Sequence, residues 1–189
     1  DGQFDDARLA ITLAKTAAQA GALLVNSCPV EGLLYTDGKV SGLRCLDAFA
    51  GTGALGLEAA SRGASEVVLV ENDPHLVKGL IALKTRLKAD AVTVERGDGV
   101  SALQRRQSLD VVFLDPPFAE GGNEALFSAA LHAARQALKS DGMIYLEAPR
   151  AWSEDELAQL GLQLHRQRNA GVVAFHLLRL LPAQCGSAR

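Results

Sequence analysis

The chain predicts an alternating α/β fold: a doubly wound, mostly parallel sheet closed by an antiparallel pair of strands. Three observations carry this. From residue 43 onward, short apolar runs alternate with segments of helical periodicity, the rhythm of parallel strands joined by crossover helices. Several of those runs are apolar at nearly every position, as strands covered on both faces require. The last two runs, 162–167 and 172–180, flank Asn169-Ala170-Gly171 and read as a hairpin.

Residues 5–20 read as a helix, with Asp5 or Asp6 able to cap it, Leu9, Leu13 and Ala17 recurring at i+4, and Gly21 at the C-cap position. Residues 23–25 and 32–35 are short strand candidates, and Thr36-Asp37-Gly38-Lys39 carries a hairpin signal, with strand resuming at Val40. Leu43, Cys45 and Leu46 begin the first strand of the main sheet, expected to end at Ala50. A helix over 54–62 follows, stopped by Gly63. The apolar run 67–70 is the second strand; after it Asp73 can cap a helix with Pro74 in its first turn. That helix carries Leu76, Leu80, Leu83 and Leu87 on one stripe, with Val77 and Ile81 beside it. Residues 92–94 form the third strand, leading through Arg96-Gly97-Asp98 to a helix over 100–105. The fourth strand, 110–114, runs into Asp115-Pro116-Pro117-Phe118. A polar loop, Glu120-Gly121-Gly122-Asn123, precedes a helix expected over 124–139, and Asp141-Gly142 then turns into a fifth strand, 143–147. Ser153-Glu154-Asp155-Glu156 is a capping box for a short helix ending at Gly161. The tail beyond Pro182 reads as frayed.

Composition narrows the function classes. With 48% hydrophobic and 22% charged residues, the 189-residue chain can bury one full core. A net charge of −3 excludes a generally basic nucleic-acid coat, so any nucleic-acid contact must be local or shared with a partner. Cys28, Cys45 and Cys185 are scattered, and His75, His132, His165 and His176 lie far apart. No zinc-ligand spacing results, and no metal is expected. No apolar run reaches the length of about 18 residues that a membrane span needs. The opening Asp1-Gly2-Gln3-Phe4-Asp5-Asp6 is acidic where a signal peptide would be basic, so a cytoplasmic compartment is expected.

The chemistry concentrates in two stretches. Asp47-Ala48-Phe49-Ala50-Gly51-Thr52-Gly53-Ala54-Leu55-Gly56 is a strand, a glycine turn and a helix N-terminus, where bare backbone admits a ligand. Gly51-x-Gly53-x-x-Gly56 matches the dinucleotide fingerprint, a weak signal alone that an unliganded tight turn would also give. Glu71, about twenty residues on at the end of the next strand, can accept the hydroxyls of a ribose, in NAD or in S-adenosylmethionine. Asp47 separates the two: beside a diphosphate it is a repelling like charge, beside a ligand ammonium it is favourable. Asp115-Pro116-Pro117-Phe118 is the second stretch. Its prolines stiffen the loop, and the Asp115 carboxylate and Pro116 carbonyl are acceptors suited to an exocyclic amine on a base stacked against Phe118. A rigid surface loop with Phe118 in the core is the plain alternative. Asp47, Glu71, Asp98, Asp115 and Glu147 all fall at carboxyl ends of expected strands, where doubly wound sheets bind ligands.

Residues 43–181 resemble the RsmD-like family of bacterial methyltransferases, which modify a guanine N2 of small-subunit (16S) ribosomal RNA with S-adenosylmethionine. The resemblance rests on Cys45-Leu46-Asp47-Ala48-Phe49-Ala50-Gly51-Thr52-Gly53-Ala54-Leu55-Gly56-Leu57-Glu58-Ala59, Val70-Glu71-Asn72-Asp73, Phe113-Leu114-Asp115-Pro116-Pro117-Phe118 and Ile144-Tyr145-Leu146-Glu147. It implies a Rossmann-like class I methyltransferase fold. It also implies a cofactor pocket lined by Asp47, Gly51, Gly53, Glu71 and Asp98, to which Phe49, Thr52 and Asn72 complete the candidate set. Asp115, Pro116, Pro117 and Phe118 would hold the target base. Ribosomal RNA or the small-subunit particle is the implied partner; Arg150, His165, Arg166, Arg168 and Arg179 cluster in the last quarter, where an RNA contact and a solvated strand face explain them equally well.

Residues 1–42 instead resemble an internal piece of FAD-dependent glycerol-3-phosphate dehydrogenases, through Asp1-Gly2-Gln3-Phe4-Asp5-Asp6-Ala7-Arg8-Leu9 and Gly38-Lys39-Val40-Ser41-Gly42. The family's basic arm and Arg-Pro-Thr motif have no counterpart in this stretch, and the chain reads as a graft joined near Arg44. The expected organisation is an atypical segment 1–42, a methyltransferase domain 43–182 and a tail 183–189. The leading function is a guanine-N2 methyltransferase. A DNA or other base-amine methyltransferase, an inactive cofactor-binding graft and an NAD(P)-binding oxidoreductase are the alternatives.

Overall fold

The computed structural model describes residues 35–36, 39–40, 42–118 and 123–182. The helix expected over 5–20, the strand at 23–25, most of 32–35 and the tail 183–189 lie outside them. Strands β1 (Tyr35–Thr36) and β2 (Lys39–Val40) pair antiparallel, and the expected turn residues Asp37 and Gly38 lie outside the described residues.

The main sheet is built by alternation. In chain order come β3 (Arg44–Asp47), α1 (Ala54–Ser61), β4 (Glu66–Glu71), α2 (Pro74–Leu87), β5 (Val92–Arg96), α3 (Gly99–Gln104) and β6 (Leu109–Leu114). Then follow α4 (Glu124–Ala137), β7 (Leu138–Ala148), α5 (Glu154–Gln159), β8 (Leu162–Ala170) and β9 (Val173–Leu180). The seven strands lie in the order β5-β4-β3-β6-β7-β9-β8. β5 to β7 are parallel, and β9 runs antiparallel between β7 and β8. The expected doubly wound sheet with an antiparallel closing hairpin is therefore present, and its order reverses between β3 and β6, where such sheets place their ligands.

Each face of the sheet is covered separately. Leu46, Val68, Val112, Leu114, Ile144 and Leu146 meet α3, α4 and α5 through Leu103, Phe127, Leu131 and Leu157. On the other face Val67, Leu69 and Phe113 meet α1 and α2 through Leu57 and Leu80. Helix starts follow the sequence signals: the Asp73 carboxylate accepts the His75 and Leu76 N–H groups, and Ser153 with Glu156 forms the full capping box. Among the described residues no helix is long and apolar enough to cross a membrane, and no group of three or more His, Cys, Asp or Glu could hold a metal ion.

The structure departs from expectation in several places, and β8 runs on to Ala170 through two of the three expected turn residues. β3 ends at Asp47, not Ala50, because the chain bends there into the glycine turn; Ala50 N–H donates to Val70 O and Gly53 N–H to Ala50 O. On α2 only Val77 and Leu80 are fully buried, while Leu76, Ile81 and Leu87 are exposed at 40%, 49% and 55%. The helix lies over β4 and the edge strand β5, so a narrow strip meets the sheet. Finally, α4 stops at Ala137 and Asp141-Gly142 is no turn but part of β7. Along β6 the pairing advances from Leu109 to Val111 while β7 advances from Leu138 to Met143, so the extra residues form a bulge. Gly142 belongs there because a Cβ would lie 3.0 Å from the Leu109 carbonyl oxygen.

Gly99 locks the third strand-to-helix turn against the first. A Cβ at Gly99 would lie 2.0 Å from the Ala48 carbonyl oxygen, a backbone atom that cannot swing aside. Gly99→Ala is expected to destabilise the fold by about 1–3 kcal/mol or more. Gly97→Ala, whose Cβ would meet no atom within 4 Å, should stay within about 0.5 kcal/mol of wild type. Urea midpoints of the two variants measure this, and equal midpoints would refute the locking role.

Candidate active site

Strand register assembles the site. Asp47 pairs with Leu69 on one side and Phe113 on the other, and Phe113 pairs with Tyr145. Partners in a parallel ladder project on the same face, and so do residues two apart. Glu71, Asp115 and Glu147 each stand two residues beyond one of these partners. Four carboxylates from four neighbouring strands thus share one face at the carboxyl edge of the sheet.

The glycines of the first turn do different jobs. Gly51 and Gly53 adopt left-handed φ of 52° and 83°, which side-chain-bearing residues rarely adopt. Around Gly51 the nearest atom to a built Cβ is the Phe49 oxygen at 4.0 Å, so that side of the turn is open to a ligand. Gly53 and Gly56 face inward instead, where a Cβ would come within 2.6 Å of Leu80 and 2.1 Å of Leu69. They let α1 close onto the sheet.

Glu71 ties the turn to the second strand. One carboxylate oxygen, Oε2, accepts the Gly51 N–H at 2.8 Å, and Oε1 accepts those of Asn72 and Asp73 at 2.8 and 2.9 Å. Three of its four lone-pair directions are taken, leaving one for a ligand hydroxyl. Asp98 caps α3 by accepting the Ser101 N–H at 2.7 Å, and the neighbouring Gly97 N–H donates to the Glu71 carbonyl. Asn72, Asp98 and Thr52 are exposed on this rim, and Phe49 is half-buried against the core beneath.

Asp47 is the anomaly. It is only 1% exposed, its Oδ2 accepts the Gly56 N–H at 3.1 Å, and its Oδ1 is buried with no partner. Burial pushes its pKa up to about 7, the Asp115 and Glu71 carboxylates push the same way, and the Gly56 and Phe49 N–H groups hold it back. A buried acceptor without a donor costs free energy that a ligand's cation or N–H would recover.

Beyond β6, Pro116 is buried while Asp115, Pro117 and Phe118 are exposed. Phe118 is 44% exposed; one side stacks on Phe127 with ring centroids 6.3 Å apart, and the rest faces solvent. Asp115 opens to solvent, yet the protein mass behind it raises its pKa. Glu147 received no role from the sequence beyond its place at a strand end, and Tyr145 none at all. The Tyr145 hydroxyl donates to Glu147 Oε1 at 2.9 Å. Burial and then Asp115 push the Glu147 carboxyl up to about 7, against the Tyr145 hydrogen bond. The signal for this pair was present in the alternation of Tyr145 and Glu147 on a strand next to Phe113 and Asp115. The expected basic group is divided: Arg150 is engaged by Glu124 and Glu156 and lies 4.9 Å over the Trp152 ring, whereas Arg166, Arg168 and Arg179 are exposed on the closing hairpin.

A mostly parallel sheet of this order, an antiparallel penultimate strand, a glycine turn after the central strand and acids at the next strand ends define the Rossmann-like class I methyltransferase fold. The family model described as Conserved hypothetical protein 95 matches residues 33–179, and the chain belongs to this family, the RsmD-like one its motifs resemble. The chain is 36% identical over 144 residues to Ribosomal RNA small subunit methyltransferase D of Escherichia coli K12, covering 71% of this chain and 67% of that protein. Its Haemophilus influenzae namesake is 33% identical over 138 residues, covering 70% and 69%. The solved Escherichia coli protein yhhF superposes with a TM-score of 0.62 at 29% identity, covering 95% of this chain and 88% of that one.

The Asp47 environment sets a pH dependence. Its folded pKa, about 7, lies above the ordinary 3.8, so the folded state holds the proton more tightly. The stability from this group is complete below about pH 4 and is lost as pH rises through about 7. Asp47→Asn keeps an acceptor for the Gly56 N–H without the charge. At pH 8 the ligand-free variant should be more stable than wild type by about 1–3 kcal/mol, with the gap closing toward pH 4. Thermal melts across this range measure it, and parallel pH profiles for the two proteins would contradict it.

Proposed function

We propose that the chain is an S-adenosylmethionine-dependent methyltransferase acting on small-subunit ribosomal RNA, at the exocyclic N2 of a guanine. The observation that carries this is the convergence of Asp47, Glu71 and Asp115 at the carboxyl ends of β3, β4 and β6. The names of the relatives support ribosomal RNA as the substrate class.

The residues fit the cofactor by their own chemistry. The partnerless Asp47 Oδ1 suits an ammonium or N–H donor, the open side of Gly51 admits a ligand against backbone, and Glu71 has one acceptor direction to spare for a hydroxyl. Asn72 and Asp98 stand on the rim. S-adenosylmethionine supplies an already activated sulfonium methyl, so no covalent enzyme intermediate is needed. The protein's task is to present a poor nucleophile. The guanine amine has its lone pair delocalised into the ring; accepting its two N–H bonds at Asp115 and the Pro116 carbonyl localises and aims that pair. Phe118 supplies a ring for the base to stack on. The proton released from N2 passes to Asp115, whose raised pKa suits it to hold one, or to water. Orientation of this kind supplies up to about 7–11 kcal/mol of barrier lowering in favourable cases.

Asp115→Ala is expected to lower turnover by about 10²–10³-fold or more. Affinity for S-adenosylhomocysteine, measured calorimetrically, should change less than about twofold, because the cofactor groups sit on other strands. The assay is transfer of labelled methyl to small-subunit particles, naked ribosomal RNA and duplex DNA. Near-normal transfer by Asp115→Ala ends this assignment of roles, and transfer to DNA alone ends the assignment of substrate.

A further inference from the structure

We infer that Glu147 is the residue that selects guanine, by accepting the base's N1–H beside the amine that Asp115 and the Pro116 carbonyl hold. This rests on the proposed function and goes further, naming the group that reads the base identity.

Three observations place Glu147 there. The pairing of Leu114 with Leu146 puts Asp115, the first residue past β6, beside Glu147 on the adjacent parallel β7, where strand spacing is about 4.8 Å. Both stand on the face that also carries Asp47. The Tyr145 hydroxyl, donating to Oε1, fixes the Glu147 carboxylate and leaves Oε2 without a donor among the described residues. Glu147 therefore presents a held, open acceptor directly beside the amine-binding carboxylate. The strand beyond offers it nothing polar, because Glu147 pairs across to Phe175, whose ring stacks on Tyr145 with centroids 6.4 Å apart.

The chemistry of the bases then decides. The Watson–Crick edge of guanine carries two neighbouring donors, N1–H and the N2 amine, so two neighbouring acceptors match it. Adenine places an acceptor, N1, next to its amine; opposite an ionised Glu147, that lone pair would meet another. A site built to accept a hydrogen bond rejects a ligand that cannot donate it far more strongly than a site built on shape alone. Asp115 and Pro116 grip any exocyclic amine and cannot make this distinction alone. Glu147 can.

2-Aminopurine tests this directly, since it keeps the 2-amine that receives the methyl but has an acceptor in place of N1–H. The substrate is small-subunit ribosomal RNA carrying guanine or 2-aminopurine at the position that wild type methylates, reconstituted with small-subunit proteins. For wild type, kcat/KM is expected to be lower on 2-aminopurine, by a ratio that grows as pH rises through about 7 and Glu147 ionises, reaching about 10²-fold at its plateau. Glu147→Gln can donate to the N1 lone pair, so the ratio between the two bases should collapse to within about tenfold. S-adenosylhomocysteine affinity within about twofold of wild type and a cooperative melt no lower than wild type's show that this variant is folded. Tyr145→Phe, which frees Glu147 without removing it, should lower kcat/KM on guanine while keeping the preference. A Glu147→Gln enzyme that retains the wild-type ratio overturns the assignment of Glu147 alone. A wild type that transfers no methyl to guanine RNA overturns the proposed function as well.

Discussion

The site depends on one desolvated carboxylate. Asp47 is removed from water at the end of the central strand with one of its oxygens unpaired. Taking an anion into such surroundings costs several kcal/mol unless something compensates. The Gly56 N–H compensates in part, while Asp115 and Glu71 add like charge to the same region. The ligand-free site is thus an excess of acceptors with too few donors. A cationic, donor-rich ligand relieves that imbalance, and a diphosphate would deepen it. The glycine spacing that the chain shares with dinucleotide-binding folds therefore takes its meaning from the residue before it.

Rigidity comes from the sheet rather than from the loops. Asp47, Glu71 and Glu147 are set by ladders with fixed register, Asp115 follows directly on one, and the turns between are pinned by backbone bonds that cross strands: Ala48 N–H to Phe113 O, Ala50 N–H to Val70 O, Gly97 N–H to Glu71 O. Two separate apolar clusters clamp the sheet from either side. A displacement of β3 relative to β6 would have to break into both. Groups that must meet a reacting centre within a fraction of an ångström are well placed on such a frame.

Much of this was legible in the sequence. Apolar runs gave the strands, caps such as Asp73 and Ser153 gave helix starts, and the acids fell at strand ends on one edge of the sheet. What escaped depends on partners far away in the chain. Asp141-Gly142 has the composition of a turn, yet it is a bulge because β6, some thirty residues earlier, dictates the pairing on either side. The leucine stripe of α2 has true helical periodicity, but how much of it is buried depends on where the sheet ends, and β5 is an edge. The Glu71 donors and the Tyr145–Glu147 hydrogen bond are distances between side chain and neighbour, which composition and spacing do not encode.

Strand β6 shows why position outranks residue type. It is bounded by two aspartates, Asp110 near its start and Asp115 just past its end. Asp110 is buried and satisfied: the Arg44 N–H donates to one oxygen and the Lys139 ammonium to the other, each at 2.7 Å. Asp115 receives no hydrogen bond among the described residues, and its pKa rises instead. At the amino end of β6 the first backbone N–H of β3 and the side chain of Lys139 on β7 supply the donors, so the acid there is absorbed into the scaffold. At the carboxyl end the chain turns away into a loop, here one whose two prolines lack N–H groups to offer. An acid left there keeps its acceptors free, which is the condition for holding a substrate rather than the fold.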